Sequence, residues 1–157
     1  MRSGPIRTGI LPLLVVSVAG CGDLIGPSRE GIEAHRAIWI SKGLTSYSYE
    51  YELTGFFNNL AGHKIRLEVR ADTVRSAVFV ETGDTVPASL AGLPTINGLF
   101  DWAVADYNAG HLTAISYDAE LGYPKRMDIS GPPDAAGSVF AAQVVPLAFA
   151  TRVAALP

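Results

Sequence analysis

The densest cluster of groups able to do chemistry is the block Tyr117-Asp118-Ala119-Glu120-Leu121-Gly122-Tyr123-Pro124, which sets two carboxylates between two phenols. On a surface loop, Tyr117, Asp118, Glu120 and Tyr123 would form a candidate ligand surface, or the carboxylates would offer oxygens to a hard cation. Calcium takes about 6–8 such oxygens, and Asp118 with Glu120 falls short of a recognisable site even with Asp128 close by. More simply, the block reads as a hairpin: Asp118 accepts backbone N–H bonds, Gly122 takes a positive φ, and Pro124 starts the next strand. The histidines stand at 35, 63 and 111, with no i, i+4 pair and no His-Glu-x-x-His pattern. Zinc needs three or four convergent ligands, so no metal site and no cofactor are expected. Gly-x-Ser-x-Gly, Ser-x-x-Lys and phosphate-cradling glycine patterns are missing as well, and nothing positive marks an enzyme. Tyr47, Tyr49 and Tyr51 form a row that could line a groove for a peptide or glycan, since tyrosine joins an apolar ring to a polar tip. Only Leu53 adds apolar surface on the same side, so a core needs these rings too.

The elements that must position these residues follow from periodicity. Ser28 is a plausible N-cap with Glu30 in the first turn, and Ile32, His35, Ile38 and Trp39 recur at helical spacing, predicting a helix over residues 29–42. Residues 46–54 alternate Tyr47, Tyr49, Tyr51 and Leu53 with small or charged side chains, a strand with one wet face. Ile65, Leu67 and Val69 alternate with Lys64, Arg66, Glu68 and Arg70 in a second strand; Asp72-Thr73 turns the chain into a third over residues 74–81. Residues 82–93 read as a connection. Thr95 then caps a second helix whose Ile96, Leu99, Phe100, Ala103 and Tyr107 form a core-facing stripe, stopped by Asn108-Ala109-Gly110. Three more strands are predicted over residues 112–117, 124–130 and 138–145. The order α-β-β-β-α-β-β-β, with an aromatic-bearing helix before a tyrosine-containing strand in each half, raises the question of an internal repeat. It predicts an α+β fold: a single antiparallel sheet of about six strands with two helices packed on one face.

Composition narrows the class. Of 157 residues 48% are hydrophobic and 17% charged, which suits one folded domain, and a net charge of −3 gives no footprint for nucleic acid. Arg2 and Arg7 precede the apolar run 10–18, and no acid occurs before Asp23. That is a secretory signal: a membrane-spanning helix needs about 20 apolar residues. The next residues, Val18-Ala19-Gly20-Cys21, resemble a bacterial lipoprotein lipobox. The resemblance implies that the Cys21 thiol, a good nucleophile for thioether formation, receives diacylglycerol, that residues 1–20 are cleaved off, and that the new amino group can be acylated in turn. Each buried acyl methylene contributes about 0.8 kcal/mol, so two or three chains hold a protein at a bilayer. Without Arg2 and Arg7, ten basic residues face fifteen acidic ones, a net charge of −5. An anionic leaflet repels such a domain, so the lipid is the anchor. Gly22 rather than aspartate follows the cysteine, which by the same resemblance favours the periplasmic face of the outer membrane in a host that has one. Residues 21–27 are then a Gly/Pro tether, 28–145 the domain, and 146–157 an apolar tail read as frayed.

Several pieces resemble the domain-of-unknown-function 6174 family of small bacterial secreted proteins and lipoproteins. They are Trp39 ahead of Ser46-Tyr47-Ser48-Tyr49, the alternating strand 65–70, Pro94-Thr95 leading into Leu99-Phe100-Asp101, and above all Tyr117-Asp118 through Gly122-Tyr123-Pro124 followed by Met127-Asp128-Ile129. The likeness covers residues 31–145 and implies fold and location; the family carries no assigned activity. Three functions are therefore weighed. The first is a lipid-anchored, non-catalytic domain that binds a protein or envelope component, its partners being the membrane through Cys21 and no nucleic acid. The second is an inhibitor of an envelope hydrolase, by analogy with inhibitors built from doubled helix-plus-sheet repeats. The third is a small hydrolase using acids near Asp118.

Overall fold

A computed structural model describes residues 26–55, 60–131 and 136–147. The signal segment, Cys21, most of the tether and residues 148–157 of the tail lie outside the described residues. The elements are α1 (Arg29–Ser41), β1 (Tyr47–Gly55), β2 (Lys64–Arg70), β3 (Thr73–Phe79), a 3-10 turn at Leu90–Gly92, α2 (Ile96–Ala109), β4 (Leu112–Tyr117), β5 (Pro124–Ile129) and β6 (Gly137–Pro146). This is the α+β order expected from periodicity. Among the described residues no helix is long and apolar enough to cross a membrane.

Each helix is bounded by side-chain chemistry. Ser28 Oγ accepts the Gly31 N–H at 3.0 Å and Thr95 Oγ1 accepts that of Gly98 at 3.1 Å, satisfying donors that a first turn leaves open. Gly110, at φ 74°, closes α2 in the left-handed conformation. The tight turn between β2 and β3 has Ala71 and Asp72 both at positive φ, 48° and 54°. That geometry ordinarily selects Asn or Gly.

All six strands form one antiparallel sheet in the order β3-β2-β1-β6-β5-β4. The two meanders meet where β1 pairs with β6, Tyr51 opposite Ala141 and Leu53 opposite Val139. Pro146 still pairs with Tyr47, and the Leu147 N–H donates to Ser46 O. Directions alternate across the whole sheet, so β1 and β4, three places apart, run oppositely. A rotation that reverses the strands while keeping their order would put the helices on opposite faces. Both helices lie on one: Trp39 of α1 packs edge-on to Tyr47, and the same Tyr47 hydroxyl accepts the Ile96 N–H of α2. The halves are therefore not related as a tandem repeat.

The core lies between that face and the helices. Tyr47, Tyr49, Tyr51 and Leu53 of β1, Ile65, Leu67 and Val69 of β2, and Ile115, Met127 and Val139 from β4, β5 and β6 are buried against Ile32, Trp39, Ile96, Leu99 and Phe100. The tyrosine row is thus core, with its polar tips used inside it. Tyr49 donates to Pro94 O while Tyr47 receives Ile96, and these two bonds seat the start of α2 on the centre of the sheet. Ile38, placed by spacing on the core stripe of α1, is 40% exposed, because it lies over the β4–β5 connection instead of the sheet.

Candidate functional site

The block singled out by its chemistry forms the hairpin between β4 and β5. Asp118 Oδ1 accepts the N–H groups of Glu120 (3.0 Å) and Leu121 (2.8 Å), the Gly122 N–H donates to Asp118 O, and the Asp118 N–H donates to Tyr123 O. One carboxylate oxygen is thereby occupied in closing the turn. Gly122 is buried at φ 78°, and a Cβ built there would lie 2.8 Å from His35 O and 2.9 Å from the Ile38 side chain. Only glycine allows the hairpin to lie this close to α1.

The four predicted surface residues part company here. Tyr123 is buried and meets Trp39 edge-on at 6.4 Å between ring centroids. Tyr117 stacks flat on His35 at 3.7 Å and 7°. His35 is itself fixed by Nδ1 against Gly31 O at 2.9 Å. The Tyr117 hydroxyl is buried without a hydrogen-bond partner among the described residues. Burial pushes both phenols up to about 12, with the Asp118 charge adding to the effect at Tyr123. They are neutral at ordinary pH and poorly suited to act as bases. Glu120 alone of the four is exposed. Among the described residues no three His, Cys, Asp or Glu side chains come together to hold a metal ion.

A concave site lies elsewhere. The connection 82–93, which has no periodicity, folds back over the end of β1 and leaves a cleft between the 3-10 turn, the first turns of α2 and the sheet. One lobe, about 560 Å³, is lined by Tyr51, Leu53, Leu93, Pro94, Thr95, Gly98 and Trp102 among others. A second, about 240 Å³, shares Tyr51, Leu53, Gly92 and Leu93 and adds Leu60, Ala88 and Ser89. The volume is that of a small-ligand site, and polar and apolar groups share the walls about equally. Tyr51 closes the floor, and burial raises its hydroxyl well above the ordinary phenol range, so it remains a neutral hydrogen-bonding group. Tyr51 was legible as part of the tyrosine row. Leu93, Gly98 and Trp102 were not, because they come together only when α2 is seated by Tyr47 and Tyr49.

The opposite face of the sheet carries a charge ladder. Glu50, 6% exposed, is the buried charged residue there, held by Arg66 at 3.1 Å and Lys64 at 3.8 Å. Asp128 accepts from Arg126 Nε (2.8 Å) and Ser138 Oγ (2.6 Å). Partial burial alone would raise its carboxyl; those bonds and the Arg126 charge outweigh it and hold the group below the usual aspartate range.

Comparison with known proteins adds one finding. A family model described as a family of unknown function, DUF6174, matches residues 31–145. Searches of curated proteins and of solved structures find no match. The matched span runs from the first turn of α1 to the last turn of pairing between β6 and β1, and so takes in the hairpin, the cleft and the charge ladder alike. The chain belongs to the DUF6174 family.

Proposed function

We propose that this protein is a lipid-anchored, non-catalytic envelope domain whose cleft beside α2 holds a sugar ring of an envelope glycan. The cleft carries the reading: it has the volume of a small-ligand site and sets the Trp102 ring and the hydroxyl groups of Thr95 and Ser89 over a floor made by the buried Tyr51. Aromatic walls cover the apolar face of a hydroxylated ring while a few polar groups fix its orientation. Anchoring rests on Cys21 behind its basic and apolar leader. From Cys21 to Ser28 an extended chain reaches about 25 Å at most, so the domain stays close to the bilayer. The tether enters at Arg29, which bonds Asn108 near the end of α2, whereas the cleft is at the start of α2. The antiparallel helices thus set the cleft away from the point where the tether enters the domain. A hydrolytic role for Asp118 is disfavoured by its engagement in the turn. The inhibitor reading loses its analogy, because the halves are not a repeat.

Trp102 reports on the site, since Trp39, 2% exposed, is enclosed in the core. The protein titrated with soluble peptidoglycan disaccharide fragments should give a saturable change in tryptophan emission, abolished by Gly98→Leu, which fills the cleft. Saturation that survives Gly98→Leu, or no emission change up to millimolar fragment, would reject the cleft as the site.

A further inference from the structure

Past β3 the chain turns back on itself beside a second hollow, which shares no lining residue with the cleft. The turn is held by its own bonds. The Phe79 N–H donates to Asp84 O at 2.9 Å, the Gly83 N–H to Phe79 O at 2.8 Å and the Asp84 N–H to Thr82 Oγ1 at 3.2 Å, while Val78 bridges to Thr85. The hollow measures about 480 Å³ and its walls are mainly apolar. Phe79 and Pro87 line it, and the His63 ring stands edge-on to Phe79 at 5.2 Å and 62°. Glu81 and Asp84 line the same hollow, and both are exposed. Among the described residues neither carboxylate has an ion pair or a hydrogen-bond donor. Glu50 and Asp128, on the open face of the sheet, are by contrast each held by an arginine. Two unpaired negative charges thus border an apolar wall on a fixed turn.

We propose that this hollow binds a primary alkylammonium, with its methylene chain against Phe79 and Pro87 and its charge at Glu81 and Asp84. A metal ion does not fit: among the described residues no three His, Cys, Asp or Glu side chains meet to hold one, His63, Glu81 and Asp84 included. A small hydrated cation would make no use of the apolar wall, and a neutral apolar ligand would leave the carboxylates unpaired. An ammonium group carries three N–H donors and no acceptor. The lining offers it acceptors only in its side chains, the two carboxylates with the hydroxyl oxygens of Thr82 and Thr85. A quaternary ammonium could use the rings but would leave those oxygens without a donor. A phosphate or carboxylate carried beside the ammonium would meet the same two acids, so the ligand is net cationic. The hollow is open to solvent and the charges are screened there, so dissociation falls in about the millimolar range.

Titration of the full-length protein in non-ionic detergent with 1,5-diaminopentane, followed by amide nuclear magnetic resonance, tests this. The amides of Phe79, Thr82 and Thr85 should shift saturably. The uncharged counterpart 1,5-pentanediol, and ammonium chloride without the chain, should each bind at least about tenfold more weakly. Glu81→Gln with Asp84→Asn should weaken the diamine by about five- to tenfold while the far-ultraviolet circular dichroism stays native. Glu30→Gln with Glu33→Gln on α1 removes the same charge elsewhere and should leave the affinity unchanged. The absence of a saturable shift up to about 50 mM diamine would overturn the proposal. So would a diol or a bare ammonium ion that binds as well as the diamine, or equal weakening by the two pairs of substitutions.

Discussion

Replacing Gly122 by alanine probes whether the β4–β5 hairpin is docked on α1 as described. The substitution has two consequences. A non-glycine residue at φ 78° costs about 1–2 kcal/mol from the left-handed backbone alone. The new Cβ would also stand 2.8 Å from His35 O and 2.9 Å from Ile38. The first of these is helix backbone and cannot swing aside, so overpacking adds about 1–3 kcal/mol. The total is about 2–5 kcal/mol. Gly110→Ala supplies the control, because Gly110 has nearly the same φ, 74°, and nothing within 4 Å of its Cβ. It should lose only the backbone part, about 1–2 kcal/mol. Equilibrium urea unfolding, followed by tyrosine and tryptophan fluorescence, reads both. With a slope of about 2 kcal/mol/M, Gly122→Ala should lower the midpoint by roughly 1 M more than Gly110→Ala. Equal losses at the two glycines would refute the close approach of hairpin and helix.

Three further predictions use the same assay. Ala71→Gly should stabilise the protein by about 1 kcal/mol, since it relieves a left-handed alanine at φ 48°; destabilisation would contradict the turn geometry. Tyr47→Phe should cost about 1–3 kcal/mol by leaving the buried Ile96 N–H, now 2.9 Å from the hydroxyl, without an acceptor. A neutral result would show that α2 is seated by other means. Asp128→Asn should cost under about 1 kcal/mol near neutral pH, because its partners are partly solvated. The folded carboxyl titrates below its ordinary value of 3.8, so its contribution is present above that value and fades as pH falls through the lower folded value. Wild type and variant should therefore converge in acid, and a gap that widens there would invert the assignment.

Much of the frame was legible because local chemistry and global fold agree. Ser28, Thr95 and Gly110 act as the caps their types suggest, and the alternation of Tyr47, Tyr49, Tyr51 and Leu53 puts them on the helix-covered face. What could not be read depends on pairing between distant segments. Tyr51 lies opposite Ala141, ninety positions away, and period-two patterning says which face a residue takes without saying which strand lies beside it. Glu50 looked like an ordinary wet-face residue, yet it is buried because β1 is central and Lys64 and Arg66 close over it. The cleft was hidden for a related reason: its residues come from β1, an aperiodic connection and α2, and no spacing in the chain brings Tyr51 and Trp102 together. The Asp118 block stood out by residue type, but its types serve a turn as well as they would serve a ligand.

Attachment through Cys21 is the claim on which the placement of this domain depends, and intact mass spectrometry of the protein extracted from host membranes tests it most directly. The account predicts a chain that starts at Cys21 and carries the added mass of a diacylglyceryl thioether. A chain that still starts at Met1, with an unmodified thiol, would contradict it.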